Sequence, residues 1–292
     1  MLLQFRRFRK GRFHAQAADS ARCGGPNPAA AQQVGQAADP TTSDISVDEL
    51  AFCKSLLAGQ KYAAELQSAC EYSLSVTRLA NYLCEQRTQL GTRDLSPGPQ
   101  RDRGGPLIVA QVRFVDGTES YADITVNGKP TDRPMFEVSQ ATGQYSSVLV
   151  AVFDPRNQPV FRFAKEENLD SRPALLYRFD VKRENNKTLW FLQSRGKVIY
   201  PGYSGKLWID KQTGRLMRLE MESTDVPKDF AYNSKLRVDY AEVSIGDGSK
   251  FVLPMKAHTV MCNTRSFQCA HNETTFSKFR KFAAEHRILP SE

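Results

Sequence analysis

Two periods of apolar residues divide the chain. Near the start, Leu50, Cys53, Leu56 and Leu57 recur at helical spacing, and the pattern runs on through Leu66, Ala69, Cys70 and Leu79. Ser46 stands where an N-cap belongs, with Glu49 three residues later as in a capping box. Gly59 marks a break or kink. One or two helices are therefore predicted within residues 45–80. From Tyr82 the period shortens to two. Ile108, Ala110, Val112 and Phe114 alternate with polar or smaller neighbours, and Asp116-Gly117 signals a hairpin. Ala122, Ile124 and Val126 return, closed by Asn127-Gly128.

Further strands follow the same logic. Leu175, Tyr177, Phe179 and Val181 share one parity, and Leu189–Leu192 is a short apolar run. The clearest hairpin joins Gly205–Asp210 to Arg215–Glu222 through a turn with Gly214 at the position that needs positive φ. On its return strand Met217, Leu219 and Met221 should face one way, with Arg218, Glu220 and Glu222 opposite. Leu236, Val238 and Tyr240 repeat the theme, whereas Val243 and Ile245 have the other parity. A β-bulge near Ala241-Glu242 would reconcile them and add curvature. Gln144–Phe153 departs from the pattern and reads better as a short helix ended by Asp154-Pro155. The expected fold is α+β, mainly β: a curved antiparallel sheet over residues 81–288 with a helical lead-in packed on it.

Composition changes this picture at the N-terminus. Residues 1–44 form a basic, low-complexity leader, and 15–44 offer almost nothing to bury, so they should be disordered. The net charge of +8 is concentrated there. Residues 1–22 hold Arg6, Arg7, Arg9, Lys10, Arg12 and Arg22 against Asp19 alone, so the body is close to balanced. The charged footprint of a nucleic-acid binder is missing from the body. No run of 18 apolar residues suggests a transmembrane helix. The Arg-rich opening lacks the apolar core of a signal peptide, and reads as another targeting segment or an over-extended start.

Candidate chemistry is sparse. If residues 255–263 and 268–276 pair with Cys262 opposite Cys269, then His258 faces Glu273 and Val260 faces His271, all on one side. A cross-strand disulfide between Cys262 and Cys269 is the favoured reading, ahead of free thiols. A zinc site is disfavoured, because the spacing lacks a short Cys-x-x-Cys knuckle and a flat hairpin converges its ligands poorly. No metal and no cofactor are expected. Cys53 and Cys70 would lie about 25 Å apart on a continuous helix, too far to bridge, which leaves Cys84 as a partner for Cys70.

No catalytic residues are expected. Pro201-Gly-Tyr-Ser-Gly205 is the nearest approach to a nucleophile elbow, but it precedes a strand and lacks a residue between serine and glycine. Glu166, Glu167, Asp225 and Asp229 read as solvated carboxylates, and Asn186 and Asn272 begin glycosylation sequons. What remains is an apolar face of Met217, Leu219, Met221, Leu236, Val238, Tyr240, Tyr177 and Phe179. Either the helices pack it completely, or they leave a groove for an acyl chain.

Several motifs carry a resemblance. Gly202-Tyr-Ser-Gly-Lys-Leu-Trp-Ile-Asp210, Thr213-Gly-Arg215, Leu219-Glu-Met-Glu222, Asp225-Val-Pro227, Asp239-Tyr240, Ile245-Gly-Asp-Gly248 and Leu253-Pro254 resemble exported bacterial proteins of LolA-like type. Asn81-Tyr-Leu-Cys-Glu-Gln86, Val115–Tyr121 and Phe153-Asp-Pro155 extend the resemblance over about 81–282. It implies an unclosed β-barrel with helices over its apolar concavity. It also implies a periplasmic or secreted location and a lipid, acyl chain or lipidated protein as partner. The other function in view is a cell-envelope protein-interaction module with a closed core.

Overall fold

The computed structural model describes residues 2–4, 47–56, 61–76, 82–95, 101–115, 118–135, 147–186, 191–194, 197–228, 230, 232–245, 249–263 and 265–281. Helices α1 (Val47–Ser55) and α2 (Ala63–Val76) precede strands β2 (Tyr82–Asp94), β3 (Arg101–Val115), β4 (Thr118–Val126) and β5 (Lys129–Pro130). Helix α3 (Ser147–Phe153) leads to β6 (Val160–Leu169) and β7 (Arg172–Val181). Strands β10 (Gly202–Asp210), β11 (Leu216–Thr224), β12 (Tyr232–Ile245), β13 (Ser249–Asn263) and β14 (Gln268–Lys281) follow. A small sheet pairs β1 (Leu2–Gln4), β8 (Phe191–Ser194) and β9 (Lys197–Ile199). Of the leader, β1 alone is among the described residues; Ser46 and Gly59 lie outside them.

Among the described residues, eleven strands form one antiparallel sheet in the order β5-β4-β3-β2-β14-β13-β12-β11-β10-β7-β6. The edges β5 and β6 are not paired to each other, so the sheet curls without closing. Asn127 and Gly128 both take positive φ, as a tight hairpin turn between β4 and β5 requires. Gly214 has φ +64 in the β10–β11 turn. Register shifts interrupt several ladders, including β2–β3, β3–β4, β6–β7 and β14–β2. Each adds local twist and helps coil the sheet around one face.

Three expectations need correction. The register break in β12–β13 falls at Asp239/Tyr240, where Met255 is the extra residue, rather than within Ala241-Glu242. Cys53 and Cys70 are bonded, with Cα atoms 5.7 Å apart. The reason is that the helical segment is two elements, so α2 returns past α1 and the distance along one helix does not apply. Cys84 is consequently free, and it is buried.

Candidate functional site: the covered face of the sheet

The register lines side chains up across the strands. One inward row runs Phe163, Tyr177, Leu207, Leu219, Val238, Ala257, Thr274, Thr88 and Ile108 from β6 to β3. A second runs Phe161, Phe179, Gly205, Met221, Leu236, Thr259 and Asn272. Tyr177, Phe179, Leu219, Met221, Leu236, Val238 and Tyr240 all belong to one buried cluster. Gly205 leaves room for its neighbours: an added Cβ would sit 2.5 Å from Phe179 Cζ.

Met217 is not part of this face. Trp208 pairs with Arg218 and Ile209 with Leu216, so Met217 is an extra residue in β11. The bulge gives the inward position to Leu216 and turns Met217 to the other side. There it packs with Leu169, Ala174, Leu176 and Trp208. Simple alternation cannot anticipate this, because one added residue inverts parity.

The helices form the cover. Leu56, Leu66, Ala69 and Leu74, with Val148, Leu149, Val152 and Phe153 of α3, are buried in the same cluster as the sheet face. The α1–α2 pair is stapled to itself by Cys53–Cys70. Its fastening to the sheet includes polar contacts. Tyr177 Oη donates to the carbonyls of Lys61 (2.9 Å) and Tyr62 (2.6 Å), just before α2. The backbone N–H of Val252 donates to Tyr72 Oη at 2.6 Å, and the Arg215 guanidinium lies 3.9 Å from the Tyr72 ring centroid. Glu166 on β6 accepts from Lys211 at 2.5 Å and from the Tyr62 hydroxyl. Those two hydrogen bonds, Lys211 first, draw its carboxyl down to about 2.

Polar residues are also buried on the inward side. Thr88 and Thr274 hydroxyls meet at 3.0 Å, and Gln86 Nε2 donates to Thr88 at 3.1 Å. Gln86 Oε1, both amide atoms of Asn272 and the Tyr240 hydroxyl are buried and make no hydrogen bond. Asn272 is 1% exposed. Burial raises the Tyr177 and Tyr240 phenols and the Cys84 thiol above their ordinary ranges, so all stay neutral. The sequence reading does not single out this polar strip, because it follows apolar residues alone along each strand. The available signal was parity: Asn272 and Thr274 share that of Phe276, and Gln86 and Thr88 that of Cys84.

Elsewhere the candidates fall into structural roles. Cys262 and Cys269 are bonded across β13 and β14. Ser204 lies within β10, opposite Asp180 and Glu222. His258 on β13 is three strands away and two residues out of its row, about 16 Å along the sheet. Glu167 accepts from Trp208 Nε1 at 2.7 Å and pairs with Lys165. Asp225 is an exposed residue after β11, and Asp229 lies outside the described residues. Both sequon asparagines, Asn186 and Asn272, are buried. No helix among the described residues is long and apolar enough to cross a membrane.

No family model matches the chain, and no curated protein matches it in sequence. Among solved structures, it is similar to a DUF1329 family protein from Desulfovibrio piger: 13% identity and TM-score 0.39, covering 78% of this chain and 95% of that one. It is similar to an outer membrane lipoprotein-sorting protein domain from Vibrio parahaemolyticus at 10% identity and TM-score 0.33, covering 80% and 95%. The Mycobacterium tuberculosis lipoprotein LppX matches at 10% identity and TM-score 0.28, covering 79% and 97%.

Proposed function

We propose that this chain is a non-enzymatic binding protein for an amphiphile, held between the inward face of the sheet and the helical cover. The apolar part would lie against Leu219, Met221, Leu236, Val238, Tyr177 and Phe179. The polar end would meet Asn272. A lipid, a free fatty acid or the acyl group of a lipidated protein has this chemistry.

The observation that carries the reading is Asn272. A buried amide with no hydrogen bond costs about 1–3 kcal/mol, and such groups are rare without a functional or solvent partner. A plain core would be more stable with leucine there. An amphiphile's head group supplies the missing partners beside an apolar wall. Two disulfides favour an oxidising compartment, periplasmic or secreted.

The test is native mass spectrometry of the full chain, purified without detergent and incubated with phospholipid and fatty acid. A reproducible lipid adduct, weakened in Asn272→Leu while that variant unfolds at higher denaturant, supports the reading. A clean apo mass under both conditions overturns it. The alternative, a closed-core interaction module of the envelope, is favoured by one observation: Tyr177, Leu219 and Val238 are each 0% exposed. An apo mass together with a stable protein partner would establish it.

A further inference from the structure

The outer side of the β11–β14 sheet carries a polar row set by register: Glu220, Arg237, His258 and Glu273 stand on successive strands. His271 lies one step along β14, opposite Val260. Strand pairing therefore brings two imidazoles and a carboxylate to one spot. Ligand atoms of His258, His271 and Glu273 lie within 4.8 Å of one another.

We infer that His258, His271 and Glu273 form a binding site for a divalent transition-metal ion of the zinc class. The sequence had argued against a metal because a flat hairpin holds cysteine and histidine ligands apart. The disulfide removes the cysteines from the set, and Glu273 replaces them. The geometry is already close. Metal–ligand bonds of about 2.0–2.1 Å at tetrahedral angles place donors about 3.3–3.4 Å apart. His258 Nε2 and Glu273 Oε1 are 3.3 Å apart. The donor on His271 lies within 4.8 Å of the other two, a gap that side-chain rotation of the exposed Glu273 and half-exposed His258 would have to close.

Two further features prepare the site. The Cys262–Cys269 bridge lies two residues from His271 on β14 and clamps the hairpin in register. The His271 ring rests over Gly91, where an added Cβ would be 2.4 Å from its Cε1 and Nε2. That notch holds the imidazole upright against the sheet. Its Nε2 is buried and makes no hydrogen bond.

Three of the neighbouring cations are paired with carboxylates. Arg237, opposite His258, is turned to Asp239 at 3.1 Å. Lys235 meets Glu222 at 3.0 Å, and Arg93 is held by Asp102, with Nη2 at 2.7 Å from Oδ2. Two imidazoles and one carboxylate suit a borderline ion better than calcium or magnesium. Three protein ligands leave one tetrahedral position open for water or a partner's donor.

The test uses the full chain, untagged and with its disulfides intact, stripped by a chelator and desalted. Isothermal titration with zinc chloride should show one ion per chain. His258→Ala and Glu273→Gln, at side chains open to solvent, should each weaken binding about tenfold or more, a loss already typical when only an outer-shell partner of a metal ligand is removed. His271→Ala should do the same if it folds; if it does not, the other two variants decide. His14→Ala with His286→Ala should leave binding unchanged. No saturable binding, or binding that survives His258→Ala and Glu273→Gln, overturns the assignment.

Discussion

Replacing Tyr177 with phenylalanine asks whether the helical cover can lift independently of the sheet. The ring stays in the core, and one hydroxyl is lost. That hydroxyl shares its proton between Lys61 O at 2.9 Å and Tyr62 O at 2.6 Å, at the entry to α2. A neutral hydrogen bond of this kind contributes about 1.4 kcal/mol, toward the upper end of the usual net range, which corresponds to about tenfold in an equilibrium constant. Both acceptors lie in the cover and the donor in the sheet, so the change should fall on the opening equilibrium. Hydrogen exchange read by mass spectrometry should show amides of Ala63–Val76 exchanging about tenfold faster, with those of β12 and β13 unchanged. If opening also limits ligand entry, a fatty acid should load faster in the variant. Equal acceleration in β12 and β13 would mean that cover and sheet open only by global unfolding. No change in Ala63–Val76 would mean that the contact does not fasten the cover. Either result refutes the argument.

Other consequences can be measured directly. Cys53→Ser with Cys70→Ser opens a loop of sequence separation 17; chain entropy then predicts a loss of about 3 kcal/mol, and an unchanged urea midpoint contradicts it. Glu166 has its carboxyl drawn down to about 2 by Lys211 and Tyr62, so its stabilising contribution is complete above the ordinary carboxylate range and fades as pH falls through that lowered value. Limited proteolysis of the cover should therefore accelerate between pH about 4 and 2, and Glu166→Gln should flatten that dependence. Gly205→Ala places a Cβ 2.0 Å from Glu220 O and 2.5 Å from Phe179 Cζ, and should cost about 3 kcal/mol, at the upper end for overpacking; a denaturant midpoint close to that of the parent would refute the contact.

Much of the sheet could be read from alternation. Leu175, Tyr177, Phe179 and Val181 point inward as their spacing demands, and the β10–β11 hairpin turns at Gly214. These features depend on neighbours in sequence. The errors arose where distant parts of the chain decide. Met217 changes face because β11 holds one more residue than β10 across a single step, and no side-chain pattern announces it. Cys53 meets Cys70 because the chain reverses between two short helices, which a continuous apolar period conceals. Asn272 and Gln86 resemble solvent-facing strand residues, and only the strands on either side reveal that they are enclosed. Glu273 was seen opposite His258, but its convergence with His271 depends on the rotamers that the packed sheet selects.

The order of strands has a consequence for how the protein is made. The first long strand, β2, finds its central neighbour in the last, β14. Thr88 and Thr274, whose hydroxyls touch across that seam, are 186 residues apart. Bringing such distant segments together costs about 4–5 kcal/mol in chain entropy by the logarithmic law, far more than a tight turn. Until β14 arrives, the two halves are separate meanders with raw edges in the middle of the future sheet. Folding should consequently be slow and late, and the growing chain depends on something to shield those edges. A ribosome stalled before Gln268 should display a chain that chaperones hold and proteases cut, and release of the final strand should end both susceptibilities together.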